Sequence, residues 1–520
     1  MTGRTRRSAP RALTAAALVV AGASLLPAVY LLAREGFSLG LLGEQLSAPS
    51  TGPLIWNTIQ LLILVGISCV VLGVGLAVLV ARTDIPWRRV WIVGFTLPLG
   101  VPSFVGSYTW VATSYRVAPS STFIYGLRGA WIVLTLALFP YVFLPTLVAL
   151  RGLDPAQEET ARSLGDSAWR AFTKVTLPRL RIAIAGGLLI ISLHLLAEFG
   201  ALQMLRYETL TTAVVNRATV LGSPEAARAL AVVLAVGAIG LLVLDRLIRG
   251  SGRDDKVGEA PARTTSPWRL SRMRWPSVGL AGVVVMASLG VPLYATAAGI
   301  VPYFTRSTSA VVDWDLLAHA GFNTTKYALA AALGATVVAF PVSLISVRFP
   351  GPVSVFAERS VWVAHALPGV IVALSLVYLS VRFAYPLYQT STLLVIAYVV
   401  MFLPLAVAAQ QVGVAQASGQ LEEVSRSLGD GPWRTFRRVT LPLVAPAAAT
   451  GAMFVALDAG KELTTTLLLH PTGENTLATA LWGTTKGEVL DFTAAAPYGV
   501  LLLIIGAVPA VLLARRTLRG

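Results

Sequence analysis

Long apolar runs alternate with short polar segments along almost the whole chain. Each run has about 20 residues or more, enough to cross the roughly 30 Å hydrocarbon core of a bilayer as a helix. The pattern predicts twelve membrane helices, six in each half of the sequence. Their approximate ranges are 12–33, 54–81, 90–112, 130–150, 182–203, 228–248, 277–301, 322–347, 360–381, 391–411, 443–469 and 494–514.

Composition agrees with this pattern and excludes an ordinary soluble protein. Of the 520 residues, 55% are hydrophobic and only 13% are charged, and the mean hydropathy is +0.72. These values are typical of polytopic membrane proteins. Residues 4–33 begin with several arginines, as a signal peptide does. Their apolar run is longer than a usual signal core, so we interpret it as the first membrane helix.

The basic residues predict the orientation. If the N-terminus is cytoplasmic and the helices alternate, the cytoplasmic segments hold 30 of the 41 Lys and Arg residues. This is the bias that the positive-inside rule requires, and it predicts a multi-pass protein of the cytoplasmic membrane with both termini in the cytoplasm. The net charge of +16 then reflects topology. No basic domain interleaved with aromatics points to nucleic acid, so the bilayer is the predicted surrounding and no nucleic-acid partner is expected.

One polar stretch occurs twice, 264 residues apart. Residues 158–178 read EETARSLGDSAWRAFTKVTLP and residues 422–442 read EEVSRSLGDGPWRTFRRVTLP. We call these the first island and the second island. Self-similarity at this distance indicates two copies of one structural unit.

The first island predicts two short helices joined by a bend. Helix formers precede Gly165, which ends the first helix as a C-terminal cap. Asp166 or Ser167 can cap a second helix, whose Trp169 and later apolar residues recur at helical spacing. Pro178 then begins the following membrane segment, where its missing N–H costs little. An alternative is an ordinary amphipathic loop on the bilayer surface.

Both islands resemble the EAA loop of bacterial ABC import permeases. The motif there is Glu-Ala-Ala, three residues, Gly, nine residues, an aliphatic residue, one more residue, and Leu-Pro. Thr160, Val424 and Ser425 depart from its small-residue positions. The resemblance implies that these residues couple the permease to an ATPase: Glu159, Ala161, Gly165, Asp166, Trp169, Leu177, Pro178, Glu423, Gly429, Asp430, Trp433, Leu441 and Pro442.

The resemblance also implies the partners and the fold. In that family the loop sits in a groove of a cytoplasmic ATPase, and an extracytoplasmic binding protein delivers the substrate. We therefore expect two copies of an ATPase subunit, which would bind ATP and Mg, and no cofactor on this chain. The expected fold is an all-α polytopic membrane protein with about twelve transmembrane helices in two homologous halves, of the type I ABC importer permease kind.

The repeat also suggests domain limits. We predict a first transmembrane half at 1–249 with its cytoplasmic loop at 151–181, and a second half at 276–520 with its loop at 413–442. Residues 250–275 are charged, carry Pro and Gly, and lack periodicity. They are predicted to form a cytoplasmic linker.

Prolines and carboxylates within apolar runs are candidates for the translocation path. Pro98 and Pro102 should break the third span, and Leu367-Pro368 matches Leu97-Pro98. Carboxylates are costly inside a membrane and default to a functional hypothesis. A packing kink and internal pairing with Lys461 are the alternatives. The path candidates are Pro98, Pro102, Glu198, Asp458 and Glu462.

Other chemical motifs are missing from the sequence. It has no G-x-x-x-x-G-K-[ST] phosphate loop, so we expect ATP hydrolysis on a separate subunit and no catalytic residue here. The four histidines lack metal-ligand spacing, and Cys69 alone supports neither a disulfide within the chain nor a thiolate site, so no metal site is predicted. Asn57-Thr58 and Asn323-Thr324 are predicted to cap the starts of the second and eighth spans.

The substrate is suggested by the stretches that follow each island. AEFGALQ at 197–203 with TLTTAVVNRA at 209–218 resembles the iron(III) permease subfamily, as does KELTTTLLLHP at 461–471 with TLATALW at 476–482. Thiamine, phosphonate and polyamine permeases remain alternatives. A twelve-helix secondary transporter is a further alternative, although its usual charged loop after span 2 is absent. A membrane transferase would need a polar cluster that we do not find in the sequence.

Overall fold

The computed structural model describes residues 9–34, 39–153, 156–220, 222–249, 268–305, 312–417, 419–485 and 492–519. Residues 250–267 of the predicted linker and residues 1–8 lie outside this part. Within it the chain is helical, with one isolated β-bridge between Thr83 and Trp268. The all-α polytopic prediction is confirmed.

The N-terminal half of the sequence folds into fourteen α-helices in the described residues. They are α1 (Arg11–Arg34), α2 (Leu39–Ser47), α3 (Thr51–Arg82), α4 (Arg88–Thr96), α5 (Ser103–Val117), α6 (Gly126–Leu138), α7 (Pro140–Gly152), α8 (Ala156–Ser163), α9 (Ala168–Ala171), α10 (Leu177–Arg179), α11 (Arg181–Ala197), α12 (Gly200–Met204), α13 (Leu210–Thr219) and α14 (Pro224–Arg249).

The C-terminal half contributes twelve more α-helices in the described residues. They are α15 (Arg274–Val285), α16 (Val291–Thr305), α17 (Trp314–Arg348), α18 (Pro352–Ala366), α19 (Gly369–Phe383), α20 (Ser391–Gln416), α21 (Gly419–Ser427), α22 (Pro432–Thr435), α23 (Leu441–Gly460), α24 (Thr464–Leu469), α25 (Leu477–Thr484) and α26 (Phe492–Arg519). π-helical turns at Phe172–Thr176 and Phe436–Thr440 occupy equivalent positions in the two islands.

The described residues contain nine helical segments long and apolar enough to cross a membrane, or up to twelve if each of three bent pairs counts as one span. The pair α4 and α5 is bent by 99°, and the pair α18 and α19 by 101°. The predicted fifth and eleventh spans were drawn too long, because their helices end at Ala197 and Gly460 and short helices follow.

Prolines account for the two sharp breaks. Pro102 and Pro368 each lie immediately before a helix. The backbone of each proline is extended (ψ 137° and 141°), and at this position the missing N–H breaks no helical hydrogen bond. They are 266 residues apart. The predicted match of Leu367-Pro368 with Leu97-Pro98 is therefore wrong, since Pro98 instead lies inside a 3₁₀ turn at Leu97–Gly100.

The chain packs as two compact units, and each includes helices from both halves of the sequence. Unit 1 contains α1, α17 to α24 and residues 477–483, and α1 packs on α17, α18 and α19. Unit 2 contains α3 to α13 with α15, α16 and α26. The predicted limits at 249 and 276 follow the sequence repeat rather than packing, so they stay a prediction.

Unit 2 includes one very close backbone approach. A Cβ atom on Gly506 of α26 would lie 1.7 Å from the carbonyl oxygen of Gly100. Glycine at this position allows α26 to pack directly on the broken third span, as small residues do in membrane helix pairs. The apolar interior nearby includes Phe95, which meets Phe139 and Phe143 edge to face.

Candidate functional site

Each island folds as the predicted helix, bend and second helix. In the first island α8 ends at Ser163, and the backbone N–H of Asp166 donates to the carbonyl of Ala161 at 3.1 Å. The N–H of Gly165 donates to the carbonyl of Arg162 at 3.0 Å. This pair of bonds is a Schellman C-cap. The second island repeats it, with Asp430 bonded to Ser425 and Gly429 to Arg426.

The two island glycines are required by backbone conformation. Gly165 has φ +98° and Gly429 has φ +91°, a region that side chains with a Cβ rarely adopt. No atom lies within 4 Å of a Cβ built on either residue. A substitution at these positions is therefore opposed by backbone strain and not by a clash.

Large apolar side chains project from both bends. Leu164 is 84% exposed and Leu428 is 80% exposed, and Trp169 and Trp433 are also largely exposed. Each tryptophan stacks on the phenylalanine three residues later, Phe172 or Phe436. Exposed apolar groups of this size, at equivalent places and rimmed by charges, are typical of a protein docking surface.

An ion pair closes each bend. In the first island Asp166 pairs with Lys174 at 3.1 Å. In the second, Asp430 pairs with Arg438 at 3.4 Å, the same eight-residue separation. Both cations and both carboxylates are 264 residues apart, so the pairing belongs to the repeated unit.

A buried polar triad anchors the first island to the long helix α3. Glu158 lies 3.6 Å from the guanidinium of Arg82, and both side chains are less than a tenth exposed. The Thr176 hydroxyl donates to the same carboxylate at 2.9 Å. The island is therefore held at its beginning and at its end by one carboxylate, which is itself fixed to the membrane helix.

The second island has the same triad. Glu422 pairs with Arg348 of α17 at 3.2 Å, and the Thr440 hydroxyl donates to it at 2.9 Å. These residues are not among the predicted coupling residues, because the motif spacing selects the second glutamate of each EE pair. In the structure that second glutamate is exposed, and the first one faces the membrane helix. The signal in the sequence that could have identified the triads is the arginine that ends each of the two long helices, Arg82 in α3 and Arg348 in α17.

The remaining predicted coupling residues lie in the same two islands. Leu177 begins α10 and Leu441 begins α23, each with the following proline in the first turn. Ala161 is half-buried on α8. In the first copy a 62° bend at Leu180 separates the island from α11. Their coupling role stays a prediction.

The two intramembrane glutamates cap short helices. Glu198 accepts the backbone N–H of Ala201 at 2.9 Å, and Glu462 accepts that of Thr465 at 2.8 Å. A carboxylate in this position stabilises the first turn of the helix that follows. Glu198 also accepts a short hydrogen bond from the Ser103 hydroxyl.

Asp458 forms the internal ion pair with Lys461 that the sequence left open as an alternative. It pairs with Lys461 at 2.8 Å, which gives Lys461 a structural partner. Pro98 and Pro102 lie in unit 2 at the broken third span, together with Glu198. The structure thus gives these groups local structural roles. Their place on the translocation path stays a prediction.

Polar contacts at the predicted external ends join the start of each repeat to the segment after its island. Thr58 and Thr324 lie inside α3 and α17, so the prediction that they cap the helix start is wrong. The helices begin earlier, at Thr51 and Trp314. Their hydroxyls instead accept the backbone N–H groups of Leu210 and Leu477, at 3.0 and 2.8 Å.

In the second repeat this contact carries charge. Glu474 accepts hydrogen bonds from the ammonium of Lys326 at 3.0 Å and from the Tyr327 hydroxyl. These hydrogen bonds, first from Tyr327 and then from Lys326, lower the pKa of Glu474 below its ordinary value. We call these three residues the clasp.

Two segments of the chain, residues 69–251 and 339–518, match the family model described as "Binding-protein-dependent transport system inner membrane component". The chain belongs to this family. Each matched segment contains one island and its triad glutamate. Membership makes the chain a multi-pass inner-membrane transport permease and not an enzyme, and permeases of this family work with an ATPase and a binding protein.

Curated relatives resemble the chain over different lengths. A protein of Haemophilus influenzae named "Fe(3+)-transport system permease protein FbpB 2" is 32% identical, covering 94% of this chain and 95% of the relative. "Probable ABC transporter permease protein y4fN" of Sinorhizobium fredii is 26% identical over 76% of this chain and 75% of its own. "Sulfate transport system permease protein CysW" of Escherichia coli is 26% identical, over 37% of this chain and 71% of its own.

Within the described residues, no group of three or more His, Cys, Asp and Glu side chains could hold a metal ion. Cys69, the cysteine of α3, is buried. A polar cavity of about 470 Å³ lies on the first island, lined by Glu159, Arg162, Ser163, Asp166 and Ser167. It lies on the surface for which a coupling role is predicted.

Proposed function

We propose that this chain is the permease subunit of an iron(III) ABC importer, with both transmembrane halves in one polypeptide. The supporting observation is the 32% identity to an Fe(3+)-transport permease that extends over 94% of the chain and so includes both islands. The sulfate-transport relative from Escherichia coli covers only 37% of it, which favours iron(III) over sulfate.

Two copies of a cytoplasmic ATPase subunit would dock on the two islands and carry the ATP and Mg. Trp169 with Leu164, and Trp433 with Leu428, supply the apolar surfaces. Because Glu158 and Glu422 tie the islands to α3 and α17, motion of a docked ATPase would move those helices directly. The mechanism is alternating access driven by the ATPase, with no ATP chemistry on this chain.

The orientation follows the charge bias and the islands. Both termini and both islands would face the cytoplasm, and the clasp would face outward, where an extracytoplasmic binding protein delivers iron(III) as cargo. The path residues we propose are Pro98, Pro102, Glu198, Asp458 and Glu462. The backbone bonds of Glu198 and Glu462 would keep the broken helices in place during transport.

Reconstitution tests this function. The chain is placed in liposomes with its partner ATPase and binding protein, and uptake of radioactive iron(III) is followed. We expect uptake that requires ATP, the ATPase and the binding protein together. Sulfate, thiamine, phosphonate and a polyamine serve as competing substrates. Uptake of one of these in place of iron(III), or uptake without the ATPase, would contradict the proposal.

A further inference from the structure

The first described residues of the predicted linker are fixed to the turn that follows α3 in unit 2. The backbone N–H of Trp268 donates to the carbonyl of Arg82 at 2.7 Å, and the N–H of Asp84 donates to the carbonyl of Trp268 at 3.2 Å. The Asp84 carboxylate accepts the N–H of Leu270 at 2.8 Å. We call residues 268–270 the strap.

The strap also contacts the first island. The indole of Trp268 meets the ring of Phe172 edge to face, with centroids 6.0 Å apart and planes at 86°. Trp268 and Leu270 are both half-buried against the apolar cluster that includes Phe172. The turn that holds the strap begins at Arg82, the residue that pairs with Glu158 of the same island. Strap, turn and island thus form one connected group.

The second island finds its aromatic partner elsewhere. Phe436, the counterpart of Phe172, meets Phe340 of α17 edge to face at 5.0 Å and 75°. The residues of α3 and α17 correspond at an offset of 266, as Arg82 and Arg348 do, so the position equivalent to Phe340 is Val74. The long helix of the first repeat carries no aromatic ring there. Trp268 supplies the ring from the linker.

We propose that the strap is a positioning element of the first coupling site, with Trp268 standing in for the ring that the membrane helix provides in the second. This inference rests on the proposed function, because positioning has a transport consequence only if the islands are coupling sites. The position of the second island would be fixed by a membrane helix alone, whereas that of the first island would also depend on the linker between the two halves. The two sites should therefore differ in their response to substitution.

Hydrogen–deuterium exchange on the full chain in lipid nanodiscs tests the contact without any partner. Losing one aromatic pair corresponds to a change of about three- to ten-fold in a local opening equilibrium. We expect W268A to raise amide exchange of residues 168–179 by about that factor. Exchange of residues 432–440 should stay unchanged. The matched variant F340A should do the reverse, and W268F should retain protection. Unchanged exchange in W268A, or an equal rise in both islands, would contradict the proposal that the strap positions the first island.

The second measurement is the ratio of substrate taken up to ATP hydrolysed in the reconstituted complex. W268A should lower this ratio by about three- to ten-fold, and W268F should restore it. Adding V74F to W268A places a ring on α3 as in the second repeat, and should recover part of the loss. An exchange effect without any change in the ratio would overturn the positioning role. Failure of the wild type to couple uptake to ATP would instead count against the proposed function and leave the exchange result standing.

Discussion

The buried ion pair of the first island offers the sharpest perturbation. In E158M the side chain keeps its length but loses the carboxylate that lies 3.6 Å from Arg82 and accepts from Thr176. Both charged side chains are less than a tenth exposed, so solvent screens the pair little. Removing one member of such a pair costs about 3–5 kcal/mol, because a charge stays buried without its neutralising partner.

This magnitude can be read from amide exchange of the island. One power of ten in an equilibrium corresponds to about 1.4 kcal/mol, so local opening should increase by roughly two to four powers of ten. The double variant R82M/E158M removes both charges and should recover most of the protection, since apolar replacements of a buried pair are often nearly neutral.

The second island provides the matched control. Its Arg348–Glu422 pair is about a fifth exposed at each side chain, so water compensates part of the loss. We expect E422M to weaken local stability by only about 1–2 kcal/mol, between the values for surface and buried pairs. Exchange in E158M that matches the wild type, or a double variant as unprotected as the single one, would refute the reasoning.

Three further predictions follow from other contacts. G165A and G429A force a left-handed backbone on a residue with a Cβ, and each should cost about 1–2 kcal/mol in island stability and lower uptake per ATP hydrolysed. G506A should lower the free energy of unfolding of the purified permease by about 1–3 kcal/mol through overpacking. G75A places its Cβ in open space and should leave it unchanged. The depressed pKa of Glu474 means that its stabilisation of the clasp is present above the unfolded-state pKa and is lost as pH falls through the folded value. The thermal stability of the wild type should therefore fall relative to that of E474Q as the pH drops below the unfolded-state pKa of a glutamate, about 4.3, as followed by thermal unfolding across pH.

Sequence alone predicted much of the fold because its signals are local or repeated. Apolar length located the helices, Gly165 and Gly429 marked the bends, and the offset of 264 revealed two copies of one unit. Each of these features depends on neighbouring residues or on an internal comparison. They can be read without knowing which distant segments meet.

The errors lie where distant segments decide the outcome. The motif spacing selects Glu159 and not Glu158, because only the path of α3 brings Arg82 to the first glutamate. Thr58 has the residue type of a helix cap, but its hydroxyl accepts a bond from Leu210, some 150 residues away. Trp268 belongs to the stretch predicted as a linker, although backbone pairing with the turn after α3 fixes it. Contacts of this kind between distant segments produce no periodic pattern in the sequence.

Site-directed crosslinking can show whether both islands are cytoplasmic docking sites for an ATPase. The only native cysteine, Cys69, is buried, so W169C and W433C each introduce one accessible thiol. We expect both variants to resist a membrane-impermeant thiol reagent added outside and to crosslink to the ATPase subunit in the assembled complex. Labelling from the outside at either position, or an ATPase that crosslinks to neither, would contradict it.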